Sequence, residues 1–108
     1  MSLYIGSSGI HGSGLFADRT IEASEDIGIV FTRVNNTGMF ASDFKENLFG
    51  RFTNHSGNPN TLISLRPDSI VLIAAKKINI NEEITSSYHE LIGLFPNDET
   101  LIKLVKFW

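Results

Sequence analysis

The side chains best able to do chemistry gather in the middle of the chain, in Arg51-Phe52-Thr53-Asn54-His55-Ser56-Gly57-Asn58-Pro59-Asn60. Asn54, Asn58 and Asn60 can bond neighbouring backbone. Gly57 permits a positive φ, and Pro59 fixes its own φ and steers Asn58 toward an extended shape. Phe49 and Phe52 on one side and Leu62 and Ile63 on the other make this an ordered loop entering a core, where Asn and Ser satisfy buried backbone groups. The same composition also suits a surface turn cluster. Gly12-Ser13-Gly14 is a second candidate, because glycines before a strand let a ligand approach the backbone. As an isolated signal it is a turn, and the strand that follows it argues against a dinucleotide fingerprint, which needs a helix there. Tyr88 is the only tyrosine in the second half of the chain. Its local sequence also fits a tyrosine at a strand end with a solvated hydroxyl. The three histidines, His11, His55 and His89, show no metal-ligand spacing, and the chain has no cysteine, which excludes disulfides and thiolate zinc sites. No metal is expected.

These residues need a scaffold, and most of it reads as strand. Residues 2–7, the run from Leu15, and residues 27–32 are strand candidates, the last β-branched, aromatic and continuous. Residues 61–65 and 70–75 flank Arg66-Pro67-Asp68-Ser69, which predicts a hairpin; their long apolar runs imply that at least one of them is buried on both faces. A last strand is expected over residues 84–88. Residues 40–50 carry helical spacing in Phe40, Phe44 and Leu48, with Ser42 as a cap, and predict a single helical turn. A C-terminal helix opens at Pro96-Asn97-Asp98-Glu99, with Leu101, Leu104, Val105 and Trp108 as one stripe. That stripe is either core packing or a device by which Phe107 and Trp108 cover a ligand.

One pattern occurs twice. Ala17, Arg19, Ile21, Ser24, Glu25, Asp26 and Ile27 match Ala74, Lys76, Ile78, Asn81, Glu82, Glu83 and Ile84, always 57 positions apart. Ser24 and Asn81 hold the turn positions, where a positive φ is expected. The duplication predicts two similar small β layers.

The 108 residues bound the answer to one small domain spanning residues 1–108, with one core. The net charge of −3 gives no basic surface for nucleic acid and weakly favours a lysine-rich partner. The first dozen residues contain neither Lys nor Arg nor an apolar run, so no signal peptide is read there, and no stretch is long and apolar enough for a membrane span. The expectation is an intracellular, soluble protein, cytoplasmic or working in a host cell.

Three segments together resemble one family. Arg51-Phe52-Thr53-Asn54-His55-Ser56-Gly57-Asn58-Pro59-Asn60 resembles the central R-F-x-N-H-S-x-x-P-N motif of SET domains, the protein lysine methyltransferases. Gly12-Ser13-Gly14-Leu15-Phe16-Ala17 resembles the family's G-x-G-L-F-A, and Glu82-Glu83-Ile84-Thr85-Ser86-Ser87-Tyr88 its G-E-E-L-T-x-x-Y, in the right order and from residue 12 to residue 88. The resemblance implies a mainly β fold, the β-clip of short twisted sheets with a threaded central loop and a C-terminal helix. It implies S-adenosylmethionine as cofactor and a lysine-containing protein as substrate. Tyr88 matches the catalytic tyrosine. Asn54 and His55 match the cofactor-binding pair, and Gly12, Ser13 and Gly14 match the loop under the methionine moiety. An aromatic C-terminal segment often closes the cofactor site, a place that Trp108 would take. Departures are Gly57 for the usual Cys, Asn81 for Gly, and Glu90 where many members carry a second channel tyrosine. The resemblance is to minimal members, such as those of viruses and bacteria, and implies no accessory regions. Two other readings are a non-catalytic β-clip module that binds a peptide or small ligand, and a cofactor-binding SET fold completed by a partner chain. Six large side chains, Phe40, Phe44, Phe49, Phe95, Phe107 and Trp108, look surplus for so small a core and favour a homodimer.

Overall fold

The computed structural model describes residues 3–36, 40–95, 98 and 99. Eight strands form two four-stranded sheets. In the first, β1 (Leu3–Ser7) pairs antiparallel with β2 (Ser13–Ala17), β2 with β8 (Glu83–Ser86), and β8 runs parallel to the two-residue β5 (Asn54–His55). In the second, the order is β4 (Phe44–Glu46), β3 (Asp26–Arg33), β7 (Ser69–Ala74), β6 (Thr61–Leu65), all antiparallel. Among the described residues two short helices, α1 (Leu48–Phe52) and α2 (Tyr88–Leu94), lead into β5 and out of β8. None of the described helices is long and apolar enough to cross a membrane.

The expected hairpin forms with Leu65 opposite Ile70 and Arg66 N–H donating to the Ser69 carbonyl at 2.8 Å. β7 lies between two neighbours, and Ile70, Val71 and Leu72 are all buried, as its unbroken apolar run requires. Ile70 and Leu72 join Leu15, Ala17, Ile21, Val30, Phe44, Ala74, Ile78, Ile84 and Phe95 in one core shared by both sheets. Each fully buried Ile or Leu contributes on the order of 1.5–3 kcal/mol by leaving water.

The duplicated segment is a pair of interlocked turns. Ile21 and Ile78 exchange both backbone hydrogen bonds at 2.8 Å. Ser24 N–H donates to the Ala74 carbonyl at 2.8 Å, and Asn81 N–H to the Ala17 carbonyl at 2.7 Å, the same bond 57 residues on. Ser24 and Asn81 have φ of 71° and 66°, as their turn positions predicted. Each unit uses its partner's strand end to satisfy its own turn, so neither closes without the other.

Two expectations are corrected. Residues 40–50 are not one helical turn: a 3-10 turn at Ala41–Asp43 leads into β4, and α1 follows. Phe40 and Leu48 are exposed and Phe44 is buried, so the three do not share a face; Phe44 packs on Phe95 with ring centroids 5.6 Å apart. Pairing of Lys45 with Thr32 on β3 outweighs the weak helical spacing. Asn47, rather than Ser42, caps a helix here, its side chain accepting from Gly50 N–H at 2.9 Å. The last strand stops at Ser86, and Tyr88 opens α2 instead of ending β8. Ser87 turns the chain, its hydroxyl accepting from His89 N–H at 3.2 Å and its carbonyl from Glu90 N–H at 3.1 Å.

Of the aromatic side chains expected to be surplus, Phe44 and Phe95 are buried in the chain's own core and Phe49 packs against it. Phe40 is exposed, while Phe107, Trp108 and the stripe of the expected C-terminal helix lie outside the described residues.

Candidate active site

The central loop meets the C-terminal strand. Asn54 pairs with Thr85 and His55 with Ser86, and Ser56 N–H donates to the Ser86 carbonyl at 3.0 Å. The approach is set by α1: Thr53 ends it, its N–H returning to the Gly50 carbonyl at 3.3 Å and its hydroxyl donating to the Phe49 carbonyl. Gly50 must lack a side chain, since a Cβ would run into the Val30 carbonyl and crowd Glu46 Cγ.

Asn60 holds the far side of the loop. It is 5% exposed and stands in for a missing strand neighbour. Its Oδ1 accepts from Thr85 N–H at 2.9 Å, and its Nδ2 donates to the Glu83 carbonyl at 2.8 Å. Thr61 adds a buried bond from its hydroxyl to the Thr85 carbonyl at 2.7 Å. A two-residue parallel strand cannot hold itself, and these side chains take over the ladder's work.

Asn54 in turn fastens the N-terminal loop. Its Nδ2 lies 3.1 Å from the His11 carbonyl, 3.0 Å from the Ser13 carbonyl, 3.1 Å from Ser8 Oγ and 2.9 Å from Glu83 Oε2. Ser8 donates to the Glu83 carboxylate at 2.8 Å and accepts from Ile10 and His11 N–H at 2.9 and 3.2 Å. Ser8 N–H closes the loop on the Gly12 carbonyl at 2.8 Å. Gly12 has φ +48°, and a Cβ there would meet nothing within 4 Å, so this corner of the loop is open. Gly14 is different: it is buried, and a Cβ would run into Glu83 Oε2. Among the described residues Asn54 Oδ1 has no hydrogen-bond partner.

Gly12, Ser13, Gly14 and Asn54 are therefore one cluster. His55 sits beside it on β5, its ring edge-on to His89 at 5.7 Å between centroids. Among the described residues no group of three metal-binding side chains converges. The backbone of Tyr88 starts α2 two residues beyond the β5–β8 pairing; its side chain, like Trp108, lies outside the described residues. Glu90, where a channel tyrosine was the family pattern, accepts from Ile63 N–H on β6 at 3.2 Å.

Residue-level reading named Glu83 only as part of a motif and assigned nothing to Ser8. Ser8 has only the local signal of a serine turn to Ile10 and His11 N–H, and the bond that joins it to Glu83 spans 75 positions. A cavity of about 30 Å³ beneath the site is lined by Val30, Phe31, Glu46, Gly50, Thr53 and Ser86, among others. Burial pushes the Glu46 carboxyl above its ordinary value, and Arg51 partly opposes this.

The SET domain family profile matches residues 30–89. The structure is similar to the crystal structure of a Plasmodium falciparum protein described as a candidate histone methyltransferase, with TM-score 0.67 and 24% identity, over 81% of this chain and 92% of that one. At that identity the likeness concerns the fold. No curated protein sequence matches the chain.

Proposed function

The chain belongs to the SET-domain family, and on that premise we propose that it transfers a methyl group from S-adenosylmethionine to the side-chain amine of a lysine in a protein substrate. The observation that carries the proposal is the meeting of three segments distant in sequence: Asn54 on β5 is bonded to the His11 and Ser13 carbonyls and runs beside the strand that leads to Tyr88. The cluster fits the cofactor's polar end. Its amide donors are consumed by protein acceptors, which leaves Asn54 Oδ1 to accept from an ammonium group, and the open corner at Gly12 admits a ligand against the backbone.

In this reading Asn54, His55, Gly12, Ser13 and Gly14 hold the cofactor, and Trp108 covers it. When bound, the cofactor would supply an electrophilic methyl on a sulfonium, which the lysine nitrogen would take while the electron pair of the C–S bond stayed on sulfur. Tyr88 orients the lysine amine through its hydroxyl and does not attack. The lysine must arrive neutral: free lysine titrates near 10.4, and an apolar channel beside a sulfonium lowers that value, the proton leaving to solvent. Catalysis is then positioning and desolvation.

Transfer of radiolabelled methyl to histones and to a cell lysate tests this. Wild type labels protein, and Tyr88→Phe loses roughly a hundredfold or more in rate, the scale of a misplaced reacting group. Absence of label with both substrates, together with no binding of S-adenosylmethionine, would leave a non-catalytic β-clip module.

A further inference from the structure

We propose that Ser8 and Glu83 are positioning residues that hold the Asn54 side-chain amide in a single orientation; its bearing on the cofactor rests on the S-adenosylmethionine reading above. A carboxamide has a donor edge and an acceptor edge of nearly the same shape, and only its neighbours decide which way it faces. Three of the groups around Nδ2, the carbonyls of His11 and Ser13 and the Glu83 carboxylate, can only accept. Reversing the amide would set Oδ1 against all three, with a carboxylate at 2.9 Å. The fourth neighbour, Ser8, could serve either edge, but its proton is directed to Glu83, whose two oxygens are each 2.8 Å from Oγ. With its proton so engaged, Ser8 Oγ can only accept from Nδ2, sharing its lone pairs among Nδ2 and the Ile10 and His11 N–H groups.

The carboxylate is held as firmly as the amide. Ser8 cannot turn away freely, because the Ile10 and His11 amides donate to its oxygen. Gly14 gives independent support. A Cβ at that position would collide with Glu83 Oε2 and lie 3.0 Å from Glu83 Cδ and 3.1 Å from Ser8 Cβ. The glycine is needed to make room for the carboxylate inside the protein. Ser8, Gly14, Glu83 and Asn54 are one unit in which Gly14 makes space, Ser8 aims Glu83, and Glu83 aims Asn54. What is left without a hydrogen bond among the described residues is the amide oxygen, which suits a cationic amine and rejects an anion.

The unit is tested on the full chain by NMR, with the Asn54 side-chain N–H₂ pair assigned by its loss in Asn54→Ala. In wild type both protons exchange slowly with water and give separate, shifted signals. Glu83→Gln, which is isosteric, and Ser8→Ala speed that exchange roughly tenfold, the equivalent of one charge-assisted hydrogen bond. In the same samples S-adenosylmethionine binding weakens by about the same factor. Gly14→Ala reproduces the Glu83→Gln effect, yet adds less in a Glu83→Ala background, where the carboxylate is gone and only the Ser8 contact remains. Protection that is lost in the variants supports the proposal even if wild type binds no S-adenosylmethionine; in that case the functional reading alone falls. An Asn54 amide that exchanges freely in wild type, or keeps its protection in both Glu83→Gln and Ser8→Ala, overturns the proposal.

Discussion

The units β1-β2-β8 and β6-β7-β3 have the same strand order and the same interlocked turns, and they differ in what lies beyond their last strand. Glu83 on β8 and Asp26 on β3 are equivalent, 57 residues apart: Phe16 pairs with Glu83 as Ile73 pairs with Asp26. In the second unit the neighbouring strand is β4, an ordinary antiparallel addition. There the carboxylate of Asp26 meets Arg66 from the hairpin turn at 3.4 Å, across an open groove of about 500 Å³, and Val71 occupies the place of Gly14. In the first unit the neighbour is β5, parallel and two residues long, and it delivers the Asn54 amide onto the Glu83 carboxylate. The same scaffold thus ends once in an exposed ion pair and once in a hydrogen-bonded cluster. On the proposed reading, the cofactor binds where the repeat is broken.

The largest expected effect separates the two ends of the repeat. Asn60→Ala leaves the Thr85 N–H and the Glu83 carbonyl without their partner in a buried place, and should cost about 2–4 kcal/mol in urea unfolding. Arg66→Ala removes a pair whose side chains are 42% and 60% exposed, and should cost less than about 1 kcal/mol. Comparable losses would mean that the Asn60 bonds to β8 hold it no more firmly than an exposed ion pair. A smaller effect tests the equivalence of the turns. Ser24→Gly and Asn81→Gly should each relieve a left-handed backbone by up to about 1 kcal/mol. The gain at Asn81 is smaller because its Oδ1 accepts from Tyr4 Oη at 2.9 Å. Destabilisation by both glycines would show that the two turns are not relieved as described.

The smallest effect concerns Glu46. Its folded carboxyl titrates above its ordinary value of 4.5, so the folded state holds that proton more tightly than the unfolded chain does. Stability is therefore lost as pH rises from 4.5 through the folded value. Glu46→Gln should raise Tm slightly at pH 7 and leave it unchanged below the ordinary carboxylate range. A lower Tm at pH 7 would show that the charge is stabilising where it stands.

The sequence made the strands and paired turns legible because their signals are local. The continuous apolar run of β7, Pro67 with Asp68, and the matched Ser24 and Asn81 each act within a few residues. β4 was hidden because its three residues become a strand only by pairing with β3, while Phe40, Phe44 and Leu48 suggest a helix that burial does not support. α2 had a signal that went unused: Ser87-x-x-Glu90 is the spacing of a capping box. Its glutamate goes instead to Ile63 N–H, which no local rule foretells. Asn54 stood out as a hydrogen-bonding residue, but its acceptors are set by topology, with Ser8 46 positions away and Glu83 29.

Calorimetric titration of S-adenosylmethionine into wild type, Asn54→Ala and Arg66→Ala tests the central claim most directly. The account predicts one site per chain, weakened at least tenfold by Asn54→Ala, the scale of a lost hydrogen bond to a charged group, and unchanged by Arg66→Ala. Binding that survives Asn54→Ala but is lost in Arg66→Ala would place the ligand at the other end of the repeat and contradict it.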